Sequence, residues 1–202
     1  MKKILLCAMM LLSMTTIMAQ SNLKSPTIRN AEGYVEVNNA ERLAEVIKRN
    51  NSEKIQLMAD IDVSHIRRIC GTFKGTITGK HKEYNKELKQ NVVAMFTIYG
   101  GRGKGGEKTW LFDKVDGATF DYLCFKNFRV EEDVVNGGEL GVIAKEAVRS
   151  KFTNLALDSI SVYEDDDNAG VIAGVASGCQ FENIISRSSD VTVDGAGVGG
   201  FL

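Results

Sequence analysis

Three groups of residues in this 202-residue chain have types and spacings that could do chemistry. The first is acidic. Glu131-Glu132-Asp133, Glu164-Asp165-Asp166-Asp167 and Asp194 recur at similar intervals. A hard cation such as Ca²⁺ takes several carboxylate oxygens. That makes Glu164, Asp165, Asp166 and Asp167 the candidate metal ligands; the competing reading is a row of solvated turns. The second group is glycine-rich: "GGRGKGGEKTWLF" at 100–112 holds G-x-G-x-x-G at Gly101, Gly103 and Gly106. A dinucleotide cradle needs a helix directly after the glycines, so that its N-terminal N–H groups meet phosphate. "EKTWLF" reads as strand instead, and Glu107 precedes Lys108-Thr109 where a Walker loop needs glycine. An irregular turn without nucleotide is expected there. The third group is His65 and His81, far apart and accompanied by no Ser or Cys nucleophile motif. No catalytic residue and no cofactor beyond Ca²⁺ is assigned. The stretch "GKHKEYNKELK" at 79–89 reads as a charged loop, with Tyr84 the centre of a candidate carbohydrate patch.

The elements that must position these residues begin with "YVEVNNAERLAEVIKRNNSEKIQLMADIDV", which reads as strand, helix, strand. Asn39 can cap the helix by accepting an orphan backbone N–H. Leu43, Val46 and Ile47 form an apolar stripe at helical spacing. Ile55, Leu57, Ala59 and Ile61 alternate with polar residues as in a half-buried strand. No further helix-length amphipathic pattern follows.

A repeat takes over. "FDYLCFKNFRV" (120–130), "FTNLALDSISV" (152–162) and "FENIISRSSDV" (181–191) align without gaps, their phenylalanines 32 and 29 residues apart. Ahead of them lie "WLF", "GVIA" and "GVIAG", with Phe112, Ile143, Ile172 and Leu202 taken as equivalent. Within a block two alternating runs are separated by a phase break, at Lys126-Asn127 in the first and Asp158-Ser159 in the second. A chain that turns a corner into a second sheet produces that break. Length variation falls after the last valine of each block, as insertions in a solenoid do. The third block loses apolar residues at Ser186 and Ser189, so a thinner core is expected there. The expected fold is mainly β, a right-handed parallel β-helix with an N-terminal capping α-helix over 40–49. The acidic turns would then stack about 5 Å apart per coil.

The first nineteen residues, "MKKILLCAMMLLSMTTIMA", carry Lys2 and Lys3, an apolar run and a small-residue site before Gln20. They read as a secretory signal peptide (1–19), followed by a polar leader (20–33) and a β-helix domain over 34–202. Export makes the expected location secreted or cell-surface, the periplasm included, with no stable membrane span after cleavage. Because "GGFL" opens a fourth repeat copy, the domain is expected to be incomplete at its C-terminus. Without Lys2 and Lys3 the chain has 23 basic against 26 acidic side chains, a net of about −3. Nucleic acid, which needs a strong basic patch, is excluded as a partner. Cys70, Cys124 and Cys179 are odd in number and lack metal-ligand spacing, so they read as small apolar residues.

The helix "ERLAEVIKRN", the strand "KIQLMADIDV", the step "GTFKGTITG" (Gly71, Thr72, Phe73, Gly75) and the repeated "GVIA" turns together resemble a known group. They are similar to secreted bacterial right-handed parallel β-helix (pectin-lyase-like) proteins with GLUG-type repeats. The resemblance implies a non-catalytic secreted or surface scaffold, adhesin-like, with an extracellular glycan or protein as ligand. The alternative is a fragment of a β-helical polysaccharide lyase or glycoside hydrolase. No catalytic residue is carried over from the family.

Overall fold

The computed structural model describes residues 28–66, 69–100, 111–131, 138–164 and 168–194. The leader sequence read as a signal peptide, most of the glycine-rich loop (101–110) and "GGFL" lie outside them. The architecture is mainly β, built from parallel sheets with one helix among the described residues. Strand β1 (Val35–Val37) leads into helix α1 (Ala40–Arg49). Asn39 caps the helix, its side chain accepting from the Arg42 N–H at 2.8 Å. Ala40, Leu43, Ala44, Val46 and Ile47 are buried on one face. The helix packs against β1 and β4 (Cys70–Phe73).

The largest sheet runs β1, β2 (Lys54–Leu57), β5 (Thr76–Thr78), β9 (Thr119–Lys126), β13 (Lys151–Asp158) and β17 (Gln180–Arg187), all parallel. A second sheet runs β4, β8 (Phe112–Asp116), β12 (Ala144–Val148) and β16 (Ala173–Ser177), also parallel. A third joins β10 (Arg129–Glu131), β14 (Ser161–Glu164) and β18 (Asp190–Val193). The short strands β11 (Leu140–Gly141) and β15 (Ala169–Gly170), which follow β10 and β14, pair with each other in parallel. From β8 onward the chain visits the four sheets in a recurring order, and each recurrence lies one strand further along.

The repeat predicted from the three phenylalanine blocks is the pairing register. Phe120, Phe152 and Phe181 are direct partners, as are Val130, Val162 and Val191. The two phase breaks are backbone corners. Positive φ, rare for residues with a side chain, occurs in three stacked columns: Gly117, Arg149, Gly178; Tyr122, Asn154, Asn183; and Asn127, Ser159, Ser188. The length change also falls where expected. Leu140 follows Glu131 by nine positions, but their partners Tyr163 and Ala169 are six positions apart.

Three expectations are corrected. Phe112 pairs with Ala144, not with Ile143, so the early step is also offset by 32 residues. The alternating strand from Ile55 to Ile61 is broken at 58–60: β2 pairs with β1 and β5, whereas β3 (Ile61–Asp62) pairs with β7 (Gln90–Tyr99). A chain turning around a core cannot stay straight, so the alternation continues across a bend. The charged stretch at 79–89 is no loop; β6 (Lys80–Asn85) and the first half of β7 form an antiparallel hairpin.

The inner faces of all sheets meet in one apolar core. Its spine is aromatic. Phe120, Phe152 and Phe181 stack nearly parallel, with ring centroids 5.5 and 5.1 Å apart. Phe73 lies 5.0 Å from Phe112 at the other end of that row. Phe181, Ile184, Val191 and Val193, on the strands β17 and β18 that end their sheets, are only partly buried.

Candidate functional site

The outer face of the largest sheet is polar, because its side chains alternate with the core row. Ile77, Phe120 and Phe152 point inward, so their neighbours in each strand point out. Two lateral rows result. One is Thr76, Thr119 and Lys151; the other is Gln56, Thr78, Asp121, Thr153 and Glu182. Each step along a row is about 4.8 Å, the strand spacing. The five-residue row therefore spans about 19 Å.

These rows floor a cleft of ≈ 670 Å³. Glu32 and Tyr34, just before β1, line it, as do Lys80, His81, Lys82 and Val93 of the β6–β7 hairpin. Asp121 is held in place by two donors, the Thr153 hydroxyl at 2.7 Å and the Asn154 carboxamide at 2.9 Å. Asn154 in turn accepts from the Asn183 side chain at 3.0 Å. Both asparagines have positive φ, a backbone state that Asn tolerates better than most residues. The corner geometry thus sets the polar ladder.

The hairpin is anchored at its base. The Gln56 side chain donates to the Lys80 carbonyl at 3.1 Å. The Lys80 ammonium lies 4.7 Å from the centre of the Tyr122 ring. The His81 ring stacks on Phe96 at 3.9 Å, and its Nδ1 lies 3.1 Å from the Gly79 carbonyl. The cleft therefore offers hydroxyls, carboxamides, carboxylates and ammonium groups in a fixed array, with aromatic and apolar surface at its sides. Such an array hydrogen-bonds a polyhydroxylated ligand and packs against its C–H faces.

The residues singled out from sequence are dispersed. His65 pairs with Glu41 at 2.8 Å, bracing the helix, whereas His81 lines the cleft. Tyr84 stands exposed on the hairpin. Glu131 is ion-paired with Arg129, and Asp194 donates its backbone N–H to the Glu164 carbonyl at 2.8 Å. Glu164 corrects the solvated-row reading, since only 1 % of it is exposed. Asp165, Asp166 and Asp167 lie outside the described residues. Among the described residues no group of three or more His, Cys, Asp or Glu side chains is placed to hold a metal. Cys124 and Cys179 are free and half-buried, and burial pushes the Cys124 thiol up.

The chain matches no family model, and it is similar to no curated protein and to no solved structure. The site must therefore be read from its own geometry. Sequence reasoning missed the cleft floor, although a signal was present. Asp121, Thr153 and Glu182 each follow the leading phenylalanine of a repeat block, so their stacking was implicit in the alignment. Among the described residues no helix is long and apolar enough to cross a membrane.

Proposed function

We propose that this chain is a non-catalytic scaffold, exported to the cell surface or secreted, that holds a glycan chain along the cleft. In this reading the stacked parallel sheets are coils of a right-handed β-helix of the GLUG-repeat type, capped by α1. The three columns of left-handed corners and the in-register repeat support the coil assignment. The observation that carries the binding assignment is the five-residue polar row across five strands. A row of that kind repeats hydrogen-bonding groups at a fixed step, which suits a ligand that also repeats. Within that row Asp121 is held in position by Thr153 and Asn154, which both donate to its Oδ1.

The test is calorimetric titration of the full chain with cellohexaose and with hexagalacturonate, alongside an assay for new reducing ends and unsaturated product. Saturable heat without turnover supports the scaffold. Turnover would establish instead the lyase or hydrolase alternative. No heat with either sugar would remove the glycan assignment. The proposed Ca²⁺ site at Glu164, Asp165, Asp166 and Asp167 is checked in the same instrument, and a flat calcium titration would remove it.

A further inference from the structure

The β6–β7 hairpin interrupts a strand that is otherwise complete. Thr76, Ile77 and Thr78 of β5 pair with Thr119, Phe120 and Asp121, the first part of β9. Phe96, Thr97, Ile98 and Tyr99 of β7 pair with Leu123, Cys124, Phe125 and Lys126, the second part of the same strand. Gly79 fills the step between them, donating to the Asp121 carbonyl at 3.2 Å and accepting from the Phe96 N–H at 3.1 Å. Read without residues 80–95, "TITG" and "FTIY" align with "TFDYLCFK" of the next coil. Gly79 then stands opposite Tyr122, at the head of the Tyr122, Asn154, Asn183 column of corners.

The intervening sixteen residues pair with each other and leave where they return, because Lys80 and Met95 are direct partners. Gly79 and Phe96 are thus already adjacent. A β-bulk added at Gly79 would meet the Tyr122 carbonyl at 2.7 Å and the Phe96 nitrogen at 3.0 Å, so the junction is tight. Among the described residues, strand β6 pairs with no strand except β7. A two-stranded ribbon of this kind is marginal on its own, and it adds little to the core. Of its apolar residues, Tyr84, Leu88 and Val93 are 58 %, 61 % and 51 % exposed, and Val92, Ala94 and Met95 are half-buried.

We propose that residues 80–95 are an insertion into a regular coil, and that this ribbon supplies the recognition wall of the cleft for a linear, unbranched glycan. The proposal rests on the glycan reading above. Lys82 and Val93 are cross-strand partners and both line the cleft. They therefore form one contact patch on the ribbon face opposite the Asp121, Thr153, Glu182 ladder. Tyr84, two residues beyond Lys82 in β6, prolongs that face. A chain lying along the ladder passes beside this wall, and a branch on the wall side would collide with it.

Two variants test the proposal, each measured with cellohexaose and hexagalacturonate. The first deletes residues 80–95 and joins Gly79 to Phe96. It is expected to melt within a few degrees of the full chain and to bind the sugar that the full chain binds at least about tenfold more weakly. A collapse in melting temperature overturns the insertion. The second, Lys82→Ala with Val93→Asp, leaves the chain path intact. It is expected to lose affinity by about tenfold with unchanged melting, and affinity retained within about threefold overturns the recognition wall. If the full chain binds neither sugar, the glycan reading and the recognition wall fall together, and the melting of the deletion variant still decides the insertion. If the full chain binds but both variants bind equally well, the glycan reading stands and the wall falls.

Discussion

Phe152 is the residue on which the stack should depend most visibly. It is fully buried, and its ring lies between Phe120 and Phe181 at 5.5 and 5.1 Å, within 7° of parallel to each. Phe152→Ala removes the ring from a close-packed interior that refills only in part, a change that costs ~3–5 kcal/mol. Each lost ring contact accounts for about 0.5–1.5 kcal/mol of stabilisation beyond area burial. Domains of this size have about 5–15 kcal/mol of total stability, so the variant should be folded but with a clearly lower urea midpoint. Phe181→Ala is the internal control. Its ring is only partly buried and stacks on Phe152 from one side, so about half that loss, ~1.5–2.5 kcal/mol, is expected. Urea unfolding followed by circular dichroism measures both. The pair Phe120→Ala and Phe152→Ala, made singly and together, should also show a coupling of about 0.5–1.5 kcal/mol. A Phe152→Ala loss below about 1.5 kcal/mol, or one no larger than that of Phe181→Ala, would refute the aromatic spine as a principal source of stability.

Glycine substitutions separate backbone strain from crowding. Gly117 has φ of +67° and open space around it, so Gly117→Ala should cost about 1–2 kcal/mol through the backbone alone. At Gly75 an added Cβ would sit 2.0 Å from the Glu53 carbonyl oxygen. Gly75→Ala should therefore cost at least as much, about 1–3 kcal/mol from overpacking, and the same urea midpoints check both. Asn154→Ala cuts the bonds to Asp121 and Asn183 and leaves alanine at positive φ. A loss of about 1–3 kcal/mol is expected, and an unchanged midpoint would show that the ladder adds nothing. Glu53 provides the pH dependence. The Arg29 guanidinium, bonded to it at 2.5 and 2.8 Å, and the Lys54 N–H hold its carboxyl below the usual range. A depressed carboxyl contributes stability above its unfolded pKa, and this is lost as pH falls through the folded value. Acidification from pH 7 should therefore destabilise the native chain more than Glu53→Gln, as thermal melts across the acid range would show.

Much of this was legible in the sequence because the repeat is a backbone property. A corner that recurs at Asn127 and Ser159 shifts the phase of alternation, and such a shift is visible in one dimension. The helix was equally legible, since its apolar stripe and its cap at Asn39 are local. The hairpin was not. A ribbon outside the core has no face to bury, so "KHKEYN" carries no apolar alternation and resembles any charged loop. The one-residue slip between Phe112 and Ala144 escaped for a different reason, because "WLF" and "GVIA" are apolar throughout and fit either register.

What the sequence determined by itself is therefore the period, the corners, the one helix of the described residues and which phenylalanines share a row. Each follows from local geometry or from apolar periodicity. What only the tertiary structure decided is the cleft. Gln56, Thr78, Asp121, Thr153 and Glu182 are separated by 22 to 43 residues, and no motif links all five. Parallel pairing brings them into one line because every strand enters the sheet at the same level. The ribbon then turns that line into a groove, since the chain leaves the sheet at Gly79 and re-enters beside it at Phe96.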